Sequence, residues 1–269
     1  MRWALGISYD GSAFNGWQCQ PEPARTVQLV LEHALGRFLG TEAHTVCAGR
    51  TDSGVHALGQ VVHIDTTIER QAISWVRGVN AHLPSDVRVL WARQVSDDFS
   101  ARFSALHRTY SYVLANSMVR SPIWRQQTGW VFRPLDIDRM RQALPSLIGT
   151  HDFSAFRAAQ CQARNPQRTM HQASIEVGGD FLVLTLQANA FLQHMVRNIV
   201  GALVDIGVGR QEPSWIAELL LQKDRRLASP TFSPAGLYLR SVHYDPAHGL
   251  SPVMQESRTL FPFLPVQSV

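Results

Sequence analysis

Asp52 stands alone among small residues. In AGRTDSGVHALGQ, residues 48–60, it is the only acid, with Arg50 two positions before it and Gly54 two after. Asp and Gly favour turns for local reasons, so a D-S-G turn taken alone serves chain reversal as readily as chemistry. In TDSG the aspartate would take the second position of the turn and Gly54 the last. The chemical reading rests on the surrounding loop of small residues, which lets a partner approach the backbone closely. An aspartate carboxylate has a reference pKa of about 3.9, so it is ionised at neutral pH and needs no general base to act as a nucleophile.

Arg197 is the second candidate. In HMVRNIVGAL it falls opposite an apolar stripe, together with His194, Asn198 and Gly201. A solvated helix face would account for that pattern. Gly201 argues against it: a glycine costs about 1 kcal/mol inside a helix and usually marks close packing. An arginine in a crowded setting needs an anion. Arg157, Arg164 and Arg168 cluster in FRAAQCQARNPQRT, which reads as a loop; it is a solvated basic loop or a phosphate grip.

Other chemistries find no support. GVGRQE lacks the third glycine of a dinucleotide loop and follows a helix pattern. The chain has no P-loop, and Lys223 has no serine three positions before it. The eleven histidines form no metal-binding pair on an expected helix, and Cys19, Cys47 and Cys161 form no C-x-x-C. Three separated cysteines fit reduced thiols in a cytosol. FLVLTL and NIVGALV are far shorter than the roughly 20 residues of a membrane span, and MRWALGISYDG lacks the layout of a signal peptide.

Positioning these residues takes an ordinary globular chain. It has 269 residues, 45% apolar and 17% charged, enough to bury one large core or two modest ones. The net charge of +4 argues only weakly for a polyanionic partner. Lys223 is the sole lysine among 25 basic residues; arginine suits phosphate and base stacking, and a GC-rich coding sequence gives the same skew. Strands are expected at 2–9, 60–66, 87–95, 108–116, 171–177, 181–188 and 236–244. Helices are expected from Thr26 as N-cap to Leu39, over 136–144 up to Pro145, over 192–206 and over 213–222. Val27, Val30, Leu31, Ala34, Leu35 and Phe38 make an apolar stripe in the first, and Leu192, Met195, Val196, Ile199, Val200 and Leu203 repeat its spacing. Strands that follow one another without a helix indicate α+β with a largely antiparallel sheet. The matched stripes hint at two similar halves, and residues 251–269 read as a surface tail.

The chain closely resembles the tRNA pseudouridine synthase A family. The matching segments are YDGSAFNGWQCQP, TVQLVLEHAL, GRTDSGVHALGQV, FSARFSALHRTYSYVL, GTHDFSAF, ARNPQRT, FLQHMVRNIVGALVDIGVGR and SPTFSPAGLYL, in the family's order over residues 9–240. The resemblance implies two related ferredoxin-like halves (1–104 and 105–245, then a tail, 246–269), a continuous sheet with helices on one side and a basic central cleft. It implies a cytoplasmic, cofactor-free homodimer that converts uridine to pseudouridine at tRNA positions 38, 39 and 40. Asp52 matches the essential aspartate and Arg197 the arginine that pairs with it. Tyr110 matches the tyrosine that stacks on the target base, and Arg50 the arginine that helps displace the nucleotide. Arg164 and Arg168 would contact phosphate. Ser53 stands where alanine is commoner, and Pro145 interrupts a helix expected to be unbroken.

The implied reaction breaks the bond from uracil N1 to ribose C1′ and joins C5 to C1′, so it calls for neither a redox cofactor nor a metal. Asp52 could attack C1′, attack C6 or remove the C2′ proton; the sequence leaves all three open. A guanidinium at Arg197 would orient the carboxylate and favour its charged form. A uridine in a stem must first leave the stack, at a cost of a few kcal/mol. Two rivals remain from residues alone. One is a non-catalytic RNA-binding protein with RRM-like halves, though the aromatic signature is missing. The other is an aspartate-nucleophile hydrolase suggested by Asp52 and IDTT, which would need a divalent cation.

Overall fold

β1 (Arg2–Tyr9) opens the chain with an almost continuous apolar run, RWALGISY, and is correspondingly buried along its length. The computed structural model describes residues 1–20, 24–251 and 254. Most of the expected tail, and residues 21–23 of the Pro-rich loop, lie outside them. The described residues form two compact units, one of residues 1–107 with those from 238 onward, the other of residues 108–237. None of their helices is long and apolar enough to cross a membrane.

In the first unit β1 leads to α1 (Val27–Leu39), β2 (Val46–Cys47), β3 (His56–Asp65), α2 (Ala72–Asn80) and β4 (Val87–Val95). β3 and β4 flank β1, and β2 pairs outside β3, all antiparallel. The spatial order β4–β1–β3–β2 of a strand–helix–strand–strand–helix–strand succession is the ferredoxin-like arrangement. Thr26 caps α1 as its sequence position suggests, its hydroxyl accepting from the Leu29 amide. Val27, Leu31, Ala34 and Leu35 bury the expected stripe. The sequence reading missed α2, which Trp75 anchors: it is fully buried, 5.1 Å from Trp3 and 5.4 Å from Phe38 between ring centroids. β10 (Leu237–Tyr244) returns from the far end of the chain to pair parallel with β3, Tyr238 opposite His56.

The second unit repeats the first five elements of the succession. β5 (Ala105–Asn116), α3 (Ile137–Ala143), β8 (Gln167–Gly178), β9 (Phe181–Ala188) and α4 (Met195–Gly207) correspond in order to β1, α1, β2, β3 and α2. β9 lies between β5 and β8, antiparallel to both, as β3 lies between β1 and β2. Short additions decorate it: β6 (Gly129–Val131) on β5, β7 (Gly149–Asp152) on β8, and α5 (Trp215–Gln222). The fold is thus α+β with largely antiparallel strands in two related halves, as expected. The matched stripes pointed to this for the wrong reason, because α4 is the counterpart of α2 and not of α1. Pro145 falls in a short 3-10 turn just past the end of α3, where a missing amide costs nothing.

Several boundaries also moved. β3 starts at His56, so four residues expected in the loop belong to the strand. β8 starts at Gln167, which takes Arg168 out of the expected loop. α4 starts at Met195 after His194, whose φ of 63° is left-handed, so His194 is a breaker and not part of a helical face.

Candidate functional site

Asp52 sits in the connection between β2 and β3, half-buried. The Val55 amide donates to the Asp52 carbonyl at 3.2 Å, so Asp52 takes the first position of the turn and not the second. Gly54 is third, with φ +76°, while Ser53 keeps an ordinary negative φ; that combination is the type II turn, which demands glycine there. Neighbouring chain then locks the turn. The carbonyl of Phe14 accepts from the Gly54 amide at 3.2 Å and from Ser53 Oγ at 3.2 Å, a bond that alanine could not make. The Trp17 amide donates to the Thr51 carbonyl at 3.0 Å, and Thr51 Oγ1 shares a buried 2.8 Å bond with the Tyr9 hydroxyl. Gly16, at φ +86°, lies so close that a β-carbon there would sit 2.9 Å from the Thr51 carbonyl oxygen. YDGSAFNGW is therefore the clamp on the turn.

Either end of the connection is fixed as well. Gln60, fully buried, donates from Nε2 to the Gly49 carbonyl at 2.6 Å and accepts from the Gly49 amide at 3.4 Å, holding the residue before Arg50 as a neighbouring strand would. Arg50 itself is exposed. At the other end, His56 Nδ1 lies 3.1 Å from both the Gly11 amide and Asp10 Oδ1. Unprotonated at Nδ1 it accepts from Gly11; protonated there it donates to Asp10. That donation, with help from Ser12, holds the Asp10 carboxyl well below the usual carboxylate range. Nearby Cys47 is not a competing nucleophile, because burial pushes its thiol up to about 12.

In the second unit Tyr110 lies on β5 opposite Leu186, 8% exposed, with its ring edge-on to Phe191 at 5.0 Å. Arg197 is in the first turn of α4. Its Nε donates to the Phe232 carbonyl at 2.8 Å, and the Phe232 amide donates back to the Arg197 carbonyl at 3.4 Å. The solvated face weighed from the sequence is not there. Asn198 and Gly201 are buried, and a β-carbon on Gly201 would lie 2.8 Å from the Pro230 carbonyl oxygen, so the glycine does mark close packing.

The three loop arginines separate. Arg157 Nη2 closes its own loop on the Cys161 carbonyl at 2.7 Å. Arg168, on β8, is half-buried and turns Nη1 to the carbonyls of Asn165 (2.8 Å) and Gln167 (2.6 Å); burial lowers its pKa. Arg164 is exposed. Sequence reasoning missed the supporting residues Tyr9, Gly16, Gln60, Phe191 and Phe232. Only Gly16 carried a signal, as one of two glycines in the segment before α1.

A family model described as tRNA pseudouridine synthase matches residues 6–104 and 143–245. The tRNA pseudouridine synthase A of Bordetella petrii is 56% identical over 264 residues, covering 97% of this chain and 98% of the relative. That of Burkholderia thailandensis is 54% identical over 252 residues (94% and 93%), and that of Herminiimonas arsenicoxydans 55% over 249 (91% and 90%). A chain from a solved Cbf5-Nop10-Gar1 complex aligns at a TM-score of 0.37 and 10% identity over 88% of this chain and 48% of that one, a likeness too slight to carry any argument.

Proposed function

Since the chain belongs to the tRNA pseudouridine synthase A family and is an isomerase acting on uridine in tRNA, we propose that Asp52 carries the chemistry and that positions 38, 39 and 40 of the anticodon stem-loop are its targets. The observation behind the first part is the doubly clamped turn. A carboxylate at its first position is presented by backbone that cannot drift, because bonds to Phe14, Trp17 and Tyr9 brace the residues on both sides of it. Catalysis gains from such fixed placement, since misplacing a reacting group by about 1 Å can cost 10²-fold.

In this reading Asp52 attacks the extruded nucleotide at C1′ or C6, or takes the C2′ proton. The N1–C1′ bond then breaks, the uracil turns, C5 bonds to C1′, the C5 proton leaves and N1 regains a proton. The product is an isomer of the substrate. Arg197 pairs with the carboxylate and fixes its direction. Tyr110, itself braced by Phe191, stacks on the uracil, an interaction worth about 1–3 kcal/mol. Arg50, exposed beside the turn, fills the space the base leaves. Arg164 is the arginine of its loop best placed to meet a phosphate; Arg168 can add charge while its Nη1 holds backbone. A homodimer working in the cytoplasm without a cofactor completes the proposal.

Asp52→Asn tests it, with tritium release from tRNA labelled at uracil C5 read alongside tRNA binding. The expected result is a loss of turnover of about 10⁴-fold with binding within a few-fold of the parent. Turnover near the parent rate would remove Asp52 from the mechanism. Mapping the modified nucleotides in the same reactions tests the three positions.

A further inference from the structure

The second unit contains a fixture for Arg197 that the roles above do not use. After α5 the chain runs back along α4 through residues 229–233, SPTFS; its first four residues meet α4 and its last meets β5. Ser229 Oγ donates to Asp205 Oδ2 at 2.7 Å. Pro230 lies over Gly201, where the helix has no side chain to hold it off. Thr231 Oγ1 donates to Asn198 Oδ1 at 2.8 Å. Phe232 exchanges bonds with Arg197 through its carbonyl and its amide. The carbonyl of Ser233 accepts from the Tyr112 hydroxyl at 2.9 Å.

Asn198 is the centre of this arrangement. It is fully buried, and its amide is committed on both sides: Nδ2 donates to the Phe156 carbonyl at 2.7 Å, and Oδ1 accepts from Thr231 and from Arg225 Nη2 at 3.1 Å. Arg225 reaches Thr231 Oγ1 at 3.2 Å and the Ala228 carbonyl at 3.2 Å as well. Buried networks in which each polar atom is satisfied specify one geometry, and a half-satisfied one is costly. Stability alone would be served as well by apolar packing against α4. What the polar version adds is a fixed position for one carbonyl, that of Phe232, and this carbonyl holds Nε of Arg197. A guanidinium is planar, so a bond to Nε sets the plane in which both terminal nitrogens point.

We propose that residues 229–233 form a strap that aims the Arg197 guanidinium, and that Thr231, Asn198 and Arg225 are positioning residues for the isomerisation. This rests on the reading that Arg197 pairs with the reacting carboxylate. Removing the Thr231 hydroxyl loosens the strap next to Phe232 without touching substrate. The effect therefore falls on the chemical step and not on tRNA binding.

The experiment is steady-state turnover on full-length tRNA with Thr231→Val, Thr231→Ser, Arg197→Lys and the Thr231→Val/Arg197→Lys double variant, with melting temperature as a check on folding. Thr231→Val is expected to lower kcat about tenfold or more with KM within twofold, since small misplacements act on kcat. Thr231→Ser restores most of the loss. In the Arg197→Lys background the Thr231→Val change costs little further, because it acts through the arginine. A parental kcat in Thr231→Val, a loss seen in KM instead, or full additivity in the double variant overturns the strap. Parental turnover in Arg197→Lys would instead sink the reading of Arg197 beneath it. Should Thr231→Val not fold, Arg225→Gln is held to the same kcat and KM criteria.

Discussion

The connection between β2 and β3 in the first unit and that between β8 and β9 in the second occupy the same place in the repeat, and they differ sharply. In the second unit the strands are long, Gln167–Gly178 and Phe181–Ala188, and are joined through Gly179 and Asp180 as a tight hairpin. In the first, β2 is cut to Val46–Cys47 and eight residues, 48–55, fill the gap. The freed length carries Arg50 and Asp52. The helices show the opposite bias. α2 buries only Trp75 and Val79, whereas α4 buries eleven of its residues and carries Arg197. One half has given up strand for the turn that carries Asp52, and the other has sunk a helix that carries Arg197. A duplicated fold thus tolerates specialisation of a different element in each copy, so long as the displaced hydrogen bonds find new partners.

The largest effect that would sharpen this contrast comes from glycine. Gly16→Ala forces a β-carbon to within 2.9 Å of the Thr51 carbonyl at a left-handed φ of +86°, so the clamp must move and the turn with it. Turnover should fall about 100-fold. Gly179→Ala, at φ +58° with open space around it, should cost about 1 kcal/mol in chemical denaturation and leave turnover alone. Equal effects on turnover at the two sites would erase the distinction between the connections.

Gly201→Ala is the next probe. It improves helix propensity by about 1 kcal/mol but presses on Pro230 and Ser229. Turnover should drop roughly tenfold while the melting temperature changes little. An unchanged kcat would mean that α4 is buried for stability alone.

The smallest effect concerns pH. The folded-state pKa of Asp10 is depressed by the His56 bond, so the stabilisation it gives is present above the ordinary carboxylate range and is lost as pH falls below it. The carboxylate is nearly half exposed, at 46%, and solvent screening limits its worth to a few tenths of a kcal/mol. Asp10→Asn should therefore be slightly less stable than the parent at neutral pH and converge with it in acid. A gap that widened on acidification would contradict the bond.

Most strand and helix positions were legible from a long apolar period or a short apolar run. Thr26 to Leu39, β4 and α5 were readable because one face is apolar, and β9 because FLVLTL is a short apolar run that follows the turn at Gly179 and Asp180. α2 was not read, although Ala72, Trp75, Val76 and Val79 stand at helical spacing, because the run is only nine residues long and its Ile and Val residues suit strands as well. Asp52 was readable from its isolation in a small-residue run, although its place in the turn was not. That place depends on Phe14 and Trp17, which are distant in sequence. Periodicity alone made Arg197 look solvent-facing, and Gly201 was the one sign of crowding; periodicity records polarity and takes no account of a second segment, 229–233, laid across the polar side. Composition also made three clustered arginines look equivalent, when Arg157 and Arg168 are occupied with carbonyls of their own neighbourhood, a matter of local backbone conformation that charge counting does not record.

β10 gives the first unit an unusual timetable. Tyr238 and Leu239 pair with His56 and Ala57, and the Tyr244 hydroxyl donates to the Ala101 carbonyl at 2.7 Å. Strand pairing over so great a loop is slow to nucleate, and synthesis of about 5–20 residues per second delays the arrival of β10 further. A nascent chain leaving the ribosome would carry the Asp52 turn long before the strand beside it existed. The enzyme is thus expected to mature after release, in one late step that completes the half made first.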